Sequence, residues 1–141
     1  MRNFKLTIEY DGSEFEGWQV QKKGSRTVQE EIQKAIHKIF RQKVPILGSG
    51  RTDSGVHAQG LVAHLKTSAN ISDRDLKYAL NYYLPPDILV HSAKTMPPSF
   101  HARYHAKSKL YRYDIWNSRT RPLFEAPYAL WYPGKLDLPA M

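Results

Sequence analysis

The 141-residue sequence has no cysteine and no long apolar run. Without cysteine the chain can form neither disulfide bonds nor thiolate metal sites, which fits a reducing compartment. A helix that spans a bilayer needs about 20 consecutive apolar residues. The sequence has no such run, so we expect no membrane partner. Met1 leads directly into a strand pattern, so we also expect no signal peptide and a cytoplasmic location.

Acidic residues are scarce compared with basic ones. Aspartate and glutamate number 13 against 21 lysines and arginines, a net charge of +8. This excess of positive charge favours a polyanionic partner. Nine tyrosines and three tryptophans are interleaved with the basic residues, and aromatic rings can stack on bases while cations hold phosphates. The composition therefore favours RNA over a lipid surface. A basic enzyme with a small anionic substrate is the alternative.

Hydrophobic periodicity predicts strands and helices in a chain whose length fits one domain. The first helix has Thr27 as its N-cap and ends near Arg41, and the second is capped by Ser72 and stopped by Pro85 and Pro86. Five strands are predicted, over residues 4–10, 45–47, 61–66, 88–94 and 109–116. This order is typical of an α+β, ferredoxin-like fold (split βαββαβ). We expect an antiparallel sheet with two helices on one face, plus an extra strand.

Two loops follow the first strand. Phe15 and Trp18 lie in an irregular segment, and we predict that they fold back on the core rather than wait for a ligand. Residues 22–26 read Lys-Lys-Gly-Ser-Arg, a basic segment that is either a solvated loop or a phosphate clamp. The sequence leaves both interpretations open for that segment.

The last part of the chain is broken up by prolines, at positions 122, 127, 133 and 139. We predict that residues 119–141 form a Pro-rich connector. Asp137, Leu138 and Pro139 have the pattern of a helix start, with an N-cap and a proline in the first turn. Because the sequence stops at Met141, before a helix could form, we expect the chain to be part of a longer protein.

The stretch from Gly48 to Ala58 has the composition of an exposed turn that presents side chains to a ligand, rather than that of a buried core segment. Three glycines within eight residues allow tight turns and close approach. Between them stand Arg51, Thr52 and Asp53, an arrangement that can offer one carboxylate to a substrate. A phosphate-binding loop would need glycine where Asp53 stands. The alternative is a plain surface turn in which Arg51 and Asp53 form an ion pair.

The histidines do not predict a metal site. His101 and His105 are four residues apart, but they follow two prolines and have no third ligand nearby. Asp53 and His57 have the same spacing, but the chain has no serine nucleophile elbow. A glycosidase or nucleosidase would need a second carboxylate as its acid, and the acidic candidates are Glu14 and Glu16.

Six segments together resemble the tRNA pseudouridine synthase A family, which modifies the anticodon stem-loop. They occur in the family's order and cover nearly the whole chain. They are residues 10–21, 27–29, 50–58, 79–88, 100–103 and 111–113. Ser49 and Ser54 stand where the family usually has alanine, and both are small residues that leave the motif's chemistry intact.

The resemblance implies a role for individual residues. Asp53 would be the catalytic aspartate, Arg51 would occupy the space of the extruded uridine, and Tyr111 would stack on the target base. Further substrate-binding residues would be His57, Arg103 and Arg112. The reaction would convert uridine to pseudouridine at family positions 38–40 of tRNA, by breaking the N1–C1′ bond and rejoining the base through C5. It would use neither cofactor nor metal.

The family also has a second, similar half and is homodimeric. The resemblance therefore implies that residues 1–118 are the N-terminal half of a catalytic domain, that residues 119–141 lead to the other half, and that the protein is a homodimer. We expect these 141 residues to have little activity alone. A non-catalytic RNA-binding module of the same fold is the alternative. Such a module would not need Arg51-Thr52-Asp53, and the aromatic patterns of an RNA-recognition sheet are missing.

Overall fold

The computed structural model describes residues 1–21 and 24–141 and forms two compact units, Met1–Lys107 and Ser108–Met141. Lys22 and Lys23 of the basic segment lie outside the described residues. The first unit holds both helices and a four-stranded sheet. Its elements are β1 (Arg2–Tyr10), α1 (Val28–Phe40), β2 (Ile46–Gly48), β3 (Ala58–Thr67), α2 (Asp73–Tyr83) and β4 (Ile88–Met96).

All neighbouring strands of this sheet are antiparallel, and their spatial order is β2-β3-β1-β4. The predicted α+β, ferredoxin-like arrangement is therefore confirmed. Alternate residues of β1 enter a single hydrophobic core together with the apolar stripes of both helices. Among the core residues are Phe4, Leu6 and Ile8 of β1, Ile32 and Ile36 of α1, and Leu76 and Leu80 of α2.

Local signals set the ends of the helices as the sequence predicts. The Thr27 hydroxyl accepts a hydrogen bond from the backbone N–H of Glu30, and the Ser72 hydroxyl accepts one from Asp75. The first helix ends at Phe40, and the C-cap residue Arg41 adopts a left-handed conformation with φ of 56°. Capping side chains satisfy backbone donors that no helical carbonyl can reach, so they fix where each helix begins.

The second helix is tied to the edge strand β4 by two side chains. The Asn81 amide donates to the Val90 carbonyl at 2.9 Å and accepts from the Val90 N–H at 2.8 Å. At the other end, the Asp73 carboxylate accepts from the Thr95 N–H and hydroxyl. Both contacts occupy backbone groups on the edge of the sheet, which would otherwise be free to pair with another strand.

One part of the sheet face away from the helices is covered by a segment that we call the strap (residues 97–105). The Asn3 amide donates to the carbonyls of Pro97 and Phe100, at 3.0 and 2.8 Å. Lys66 donates to Pro98, and the Ala102 N–H donates to Nδ1 of His64 at 3.2 Å. The predicted loop from Pro97 to His105 is therefore a loop packed on the sheet.

His64 is buried under the strap, with 3% of its surface exposed. Burial lowers the pKa of His64, and the nearby His101 and Lys66 lower it further. The folded state then resists protonation, while the unfolded chain takes up a proton near the ordinary histidine pKa of about 6.5. The free energy of unfolding should therefore fall as the pH drops from 7.5 through 6.5, which urea denaturation at several pH values measures.

The matched comparison is His64→Asn, whose side-chain oxygen can still accept the Ala102 N–H. This variant should lose less stability than the parent over the same pH range. His37→Asn, at an exposed position of α1, should keep the pH dependence of the parent. Equal slopes for the parent and His64→Asn would contradict the assignment.

The second unit corrects the last predicted strand. Only Ile115–Trp116 (β5) is strand, and it pairs in parallel with Leu130–Trp131 (β6) in a separate two-stranded sheet. Residues 109–114 have no regular structure. Leu110 is 95% exposed and Tyr113 is 89% exposed, so these side chains do not pack on a surface as those of a half-buried strand would. Strand propensity reflects packing on a pleated surface, and it does not make a strand without one.

The end of the chain forms a short 3₁₀ helix, Leu138–Ala140, at the predicted helix start. Asp137 precedes it, but its side chain forms no capping hydrogen bond. In the described part of the chain, no helix has the length and apolar character needed to cross a membrane.

Candidate active site

The loop between β2 and β3 carries the arginine and aspartate singled out in the sequence. We call residues 51–57 the acidic loop. It is closed by a turn in which the Val56 N–H donates to the Asp53 carbonyl at 3.2 Å. Gly55 lies in this turn with φ of +78°, a conformation that glycine adopts without strain. The turn places Asp53 at the tip of a short connection rather than in a strand.

The acidic loop is bound to the last residue of β1 and the segment after it, which together we call the anchoring segment (residues 10–18). Thr52 is bonded at two points: its hydroxyl lies 2.7 Å from the Tyr10 hydroxyl, and its carbonyl accepts from the Trp18 N–H at 3.1 Å. The Phe15 carbonyl accepts from the Gly55 N–H at 3.1 Å and from the Ser54 hydroxyl at 3.3 Å. These bonds fix the backbone on both sides of Asp53.

Two glycines allow this close approach. A Cβ atom on Gly12 would lie 2.0 Å from the Val56 carbonyl oxygen, and one on Gly17 would lie 2.6 Å from the Thr52 carbonyl oxygen. Gly17 also has φ of +86°. The two segments therefore meet backbone to backbone, at distances that leave no room for any other residue.

His57 lies at the end of the acidic loop and faces the anchoring segment. Its Nδ1 accepts a hydrogen bond from the Gly12 N–H at 2.9 Å and lies 3.2 Å from the Asp11 carboxylate. Because Nδ1 is an acceptor here, a neutral ring carries its proton on Nε2. The contact adds a further attachment between the two segments.

Two large side chains of the anchoring segment are buried in the hydrophobic core and hold the segment in place. Phe15 and Trp18 are 2% and 1% exposed, so the prediction that they fold back on the core is confirmed. The Tyr10 ring lies 6.3 Å from that of Trp18. The Arg26 guanidinium covers Phe15 at 4.1 Å and forms a bidentate pair with Asp87 at 2.7 and 3.1 Å.

Arg51 and Asp53 are exposed on either side of the more buried Thr52. Among the described residues they do not form an ion pair with each other, so the alternative of a plain turn closed by such a pair is wrong. The loop is held by Thr52, and its charged neighbours are left to face a cleft of about 530 Å³. The cleft is lined by Glu16, Gln19, Gln21 and residues 51–54.

The other residues implied by the resemblance belong to other segments of the chain. Arg103 is exposed on the strap, where its backbone N–H donates to Nδ1 of His101 at 3.2 Å. Tyr111 and Arg112 belong to the second unit, and both are exposed. The Arg112 guanidinium pairs with Asp114 at 3.0 Å. The structure thus brings Arg51, Asp53 and His57 together in one loop, while the remaining candidates occupy other segments.

Sequence reasoning did not identify Tyr10 and Thr52 as supports of this site. Their contact joins residues 42 positions apart, and no periodicity or motif spacing indicates a contact of that kind. The glycines at positions 12 and 17 were the available signal, because glycine is the residue that lets another backbone approach closely. Across residues 1–21 and 24–141, no group of three metal-ligating side chains is arranged to hold an ion.

Removing the Tyr10 hydroxyl should loosen the acidic loop. Burial raises the pKa of Tyr10, so the hydroxyl is protonated at neutral pH and available for the bond to Thr52. Tyr10→Phe leaves the Thr52 hydroxyl without that partner, at an expected cost of about 1 kcal/mol in unfolding free energy. Chemical denaturation measures this cost. A double-mutant cycle with Thr52→Val should show coupling, and additive effects of the two changes would contradict the contact.

The fold and the acidic loop define a ferredoxin-like domain that presents Asp53 at an open cleft. A family model described as tRNA pseudouridine synthase matches residues 6–105. The match covers both helices, the whole acidic loop and the anchoring segment. The chain therefore belongs to the tRNA pseudouridine synthase family.

Similar proteins extend over the whole chain. The chain is 45% identical to tRNA pseudouridine synthase A 2 of Clostridium perfringens, over 100% of the chain and 57% of the relative. It is 51% identical to tRNA pseudouridine synthase A of Ruminiclostridium cellulolyticum, over 84% of the chain and 48% of the relative. A Bacillus protein of the same name is 43% identical, over 100% of the chain and 58% of the relative. The chain thus spans about half the length of the curated relatives it matches.

Proposed function

We propose that the protein containing this chain is a tRNA pseudouridine synthase, an isomerase that converts uridine to pseudouridine in the anticodon stem-loop at family positions 38–40. The observation that carries this proposal is the presentation of Asp53. It stands exposed at a cleft, in a loop that is hydrogen-bonded to the anchoring segment at Thr52, Ser54 and Gly55. Family membership supports this reaction class for the protein, and we propose Asp53 as its catalytic carboxylate.

The proposed chemistry begins with cleavage of the N1–C1′ bond. Positive charge develops at C1′ as the bond breaks, and a fixed carboxylate can stabilise or trap it. Asp53 acts either as the nucleophile at C1′ or as the base that removes the 2′ proton, and both roles need the ionised carboxylate. The detached uracil turns over and forms a C1′–C5 bond. N1 gains a proton, and the hydrogen at C5 leaves to solvent.

The target base has to leave its stack before it reaches the aspartate, at a cost of a few kcal/mol. We propose that Arg51 fills the space left by the extruded uridine and that Tyr111 stacks on the base. His57, Arg103 and Arg112 are proposed as further substrate contacts. Four of these residues, Arg51, Arg103, Tyr111 and Arg112, are exposed, so their side chains are accessible to an RNA.

The proposal also covers organisation and partners. Residues 1–118 would be one half of a catalytic domain, and residues 119–141 would connect it to the other half. The enzyme would work on tRNA in the cytoplasm, as a homodimer, without a cofactor. Family membership supports the tRNA substrate, and the resemblance to the family supports the dimer.

The test is release of tritium from tRNA labelled at uridine C5, using the protein in its natural length. Release of tritium together with pseudouridine in the digested product would support the proposal. Binding of the tRNA with no release would instead favour the non-catalytic RNA-binding module. The decisive variant, Asp53→Asn, belongs to the same experiment.

A further inference from the structure

Two lysines lie directly opposite each other on the sheet face away from the helices. Lys5 of β1 pairs with Lys94 of β4 in the antiparallel ladder. Residues directly opposite in such a ladder point to the same face, with Cβ atoms about 5 Å apart. The neighbouring residues Leu6 and Ala93 enter the core, so both lysines project from the other face.

This arrangement is unfavourable by itself. Like charges directly opposite in a sheet repel each other and destabilise it. Neither ammonium group forms an ion pair with any acidic residue in the part of the chain that the structure describes. Glu9, four residues after Lys5 on β1, pairs with His91 of β4. The two charges therefore remain uncompensated within the first unit.

The surroundings of the pair are suited to an anion. Thr7 and Ser92 form the adjacent cross-strand pair on the same face, and their hydroxyls can donate hydrogen bonds. The strap covers the face around Asn3, His64 and Lys66 but leaves Lys94 exposed and Lys5 partly exposed. We call Lys5, Thr7, Ser92 and Lys94 the lysine patch.

We propose that the lysine patch binds a backbone phosphate of the RNA substrate, away from the target base. This inference rests on the proposed function. Two ammonium groups and two hydroxyls can all donate hydrogen bonds to the oxygens of a phosphate, and an RNA strand supplies phosphates in series. A second copy of the chain fits less well, because two identical positive patches would repel each other.

The patch is also far enough from the acidic loop to bind a different nucleotide. Lys5 precedes Tyr10 by five residues of β1, which corresponds to about 17 Å along a strand. Tyr10 contacts Thr52 of the acidic loop. A phosphate at the lysine patch would therefore lie a few nucleotides from a uridine held at Asp53, where it positions the RNA without taking part in the reaction.

The test uses the protein in its natural length and exploits the repulsion between the two lysines. Lys94→Glu should convert the repulsive pair into an attractive one and raise the thermal midpoint by one to a few degrees. The same change should weaken binding of a tRNA transcript about tenfold or more. The double change Lys5→Gln with Lys94→Gln should weaken binding about fivefold or more. It should also lower the magnitude of the slope of log K against log salt by about 0.7 to 0.9, the value for one lost phosphate contact.

Lys34→Gln is the matched control, because that lysine is already paired with Glu30 and Glu31 on α1. It should change tRNA affinity less than twofold. Unchanged affinity in the Lys94→Glu and double variants would overturn the inference, and so would an equal loss in Lys34→Gln, which would indicate a general effect of net charge. Tritium release by the parent tests the proposed function separately from the proposed phosphate site. If the parent releases tritium while the lysine changes have no effect, the proposed function stands and the lysine patch does not.

Discussion

Asp53→Asn is expected to reduce tritium release from C5-labelled tRNA by at least a factor of about a thousand. The amide keeps the size and shape of the side chain but has no negative charge, so it can neither trap C1′ nor accept the 2′ proton. Asp53 is exposed and its side chain is not part of the hydrogen bonds that hold the acidic loop. The variant should therefore keep the thermal midpoint of the parent and bind tRNA within about twofold.

Glu16→Gln provides the control for this experiment. Of Glu14 and Glu16, the two candidates for the acid of a glycosidase or nucleosidase mechanism, Glu16 lines the same cleft as Asp53. Retained tritium release in Glu16→Gln, together with its loss in Asp53→Asn, would assign the chemistry to one carboxylate. Equal losses in both variants would favour a two-carboxylate mechanism. Full activity in Asp53→Asn would remove the proposed function.

Gly12→Ala is expected to have the largest effect on stability of the changes considered. The new methyl group would lie 2.0 Å from the Val56 carbonyl oxygen, and 2.5 Å from its carbon. Both are backbone atoms, so no side chain can rotate away to make room. The anchoring segment and the acidic loop would have to separate, at an expected cost of about 2–4 kcal/mol in unfolding free energy. The bond from the Gly12 N–H to His57 would be lost as well.

The effect should reach catalysis, because the same displacement moves the loop that carries Asp53. Where the variant remains folded, tritium release should fall by more than tenfold even at saturating tRNA. Gly60→Ala is the matched control. Gly60 lies in β3, and the nearest atom to its added Cβ would be a Thr7 methyl group at 3.9 Å. That variant should be as stable as the parent or slightly more stable, since alanine restricts the unfolded chain. Wild-type stability in Gly12→Ala would contradict the close approach.

In the acidic loop, the residue that holds the backbone in place differs from the residues proposed to act on the substrate. Thr52 is turned inward and bonded through both hydroxyl and carbonyl, while Arg51 and Asp53 face the cleft. Tyr10 and Trp18, which hold Thr52, are themselves buried in the core. A side chain that must act at a reacting atom gains from such support, because a shift of about 1 Å can cost a hundredfold in rate. The position of Asp53 is thus set indirectly, by the packing of Tyr10 and Trp18 in the core.

The sequence alone determined those parts of the structure that depend on neighbouring residues. Both helices were placed to within a residue or two by their N-caps, Thr27 and Ser72, and by the prolines after Leu84. The hydrophobic periodicity of residues 4–10 likewise predicted most of β1 (Arg2–Tyr10). The motif from Gly50 to Ala58 also indicated the loop that carries the candidate aspartate. Caps, helical spacing and chain breakers act over a few residues, so their effect can be recognised without knowledge of the fold.

Only the tertiary structure decided the features that join distant parts of the chain. The contact between Tyr10 and Thr52, the strap over His64 and the pairing of Lys5 with Lys94 join residues 38 to 89 positions apart. The predicted strand over residues 109–116 failed at residues 109–114 for the same reason. Its alternation was present, but a strand also needs a neighbour and a surface on which to pack. Local sequence patterns state what a segment can form, whereas its partner in the folded chain decides whether it does.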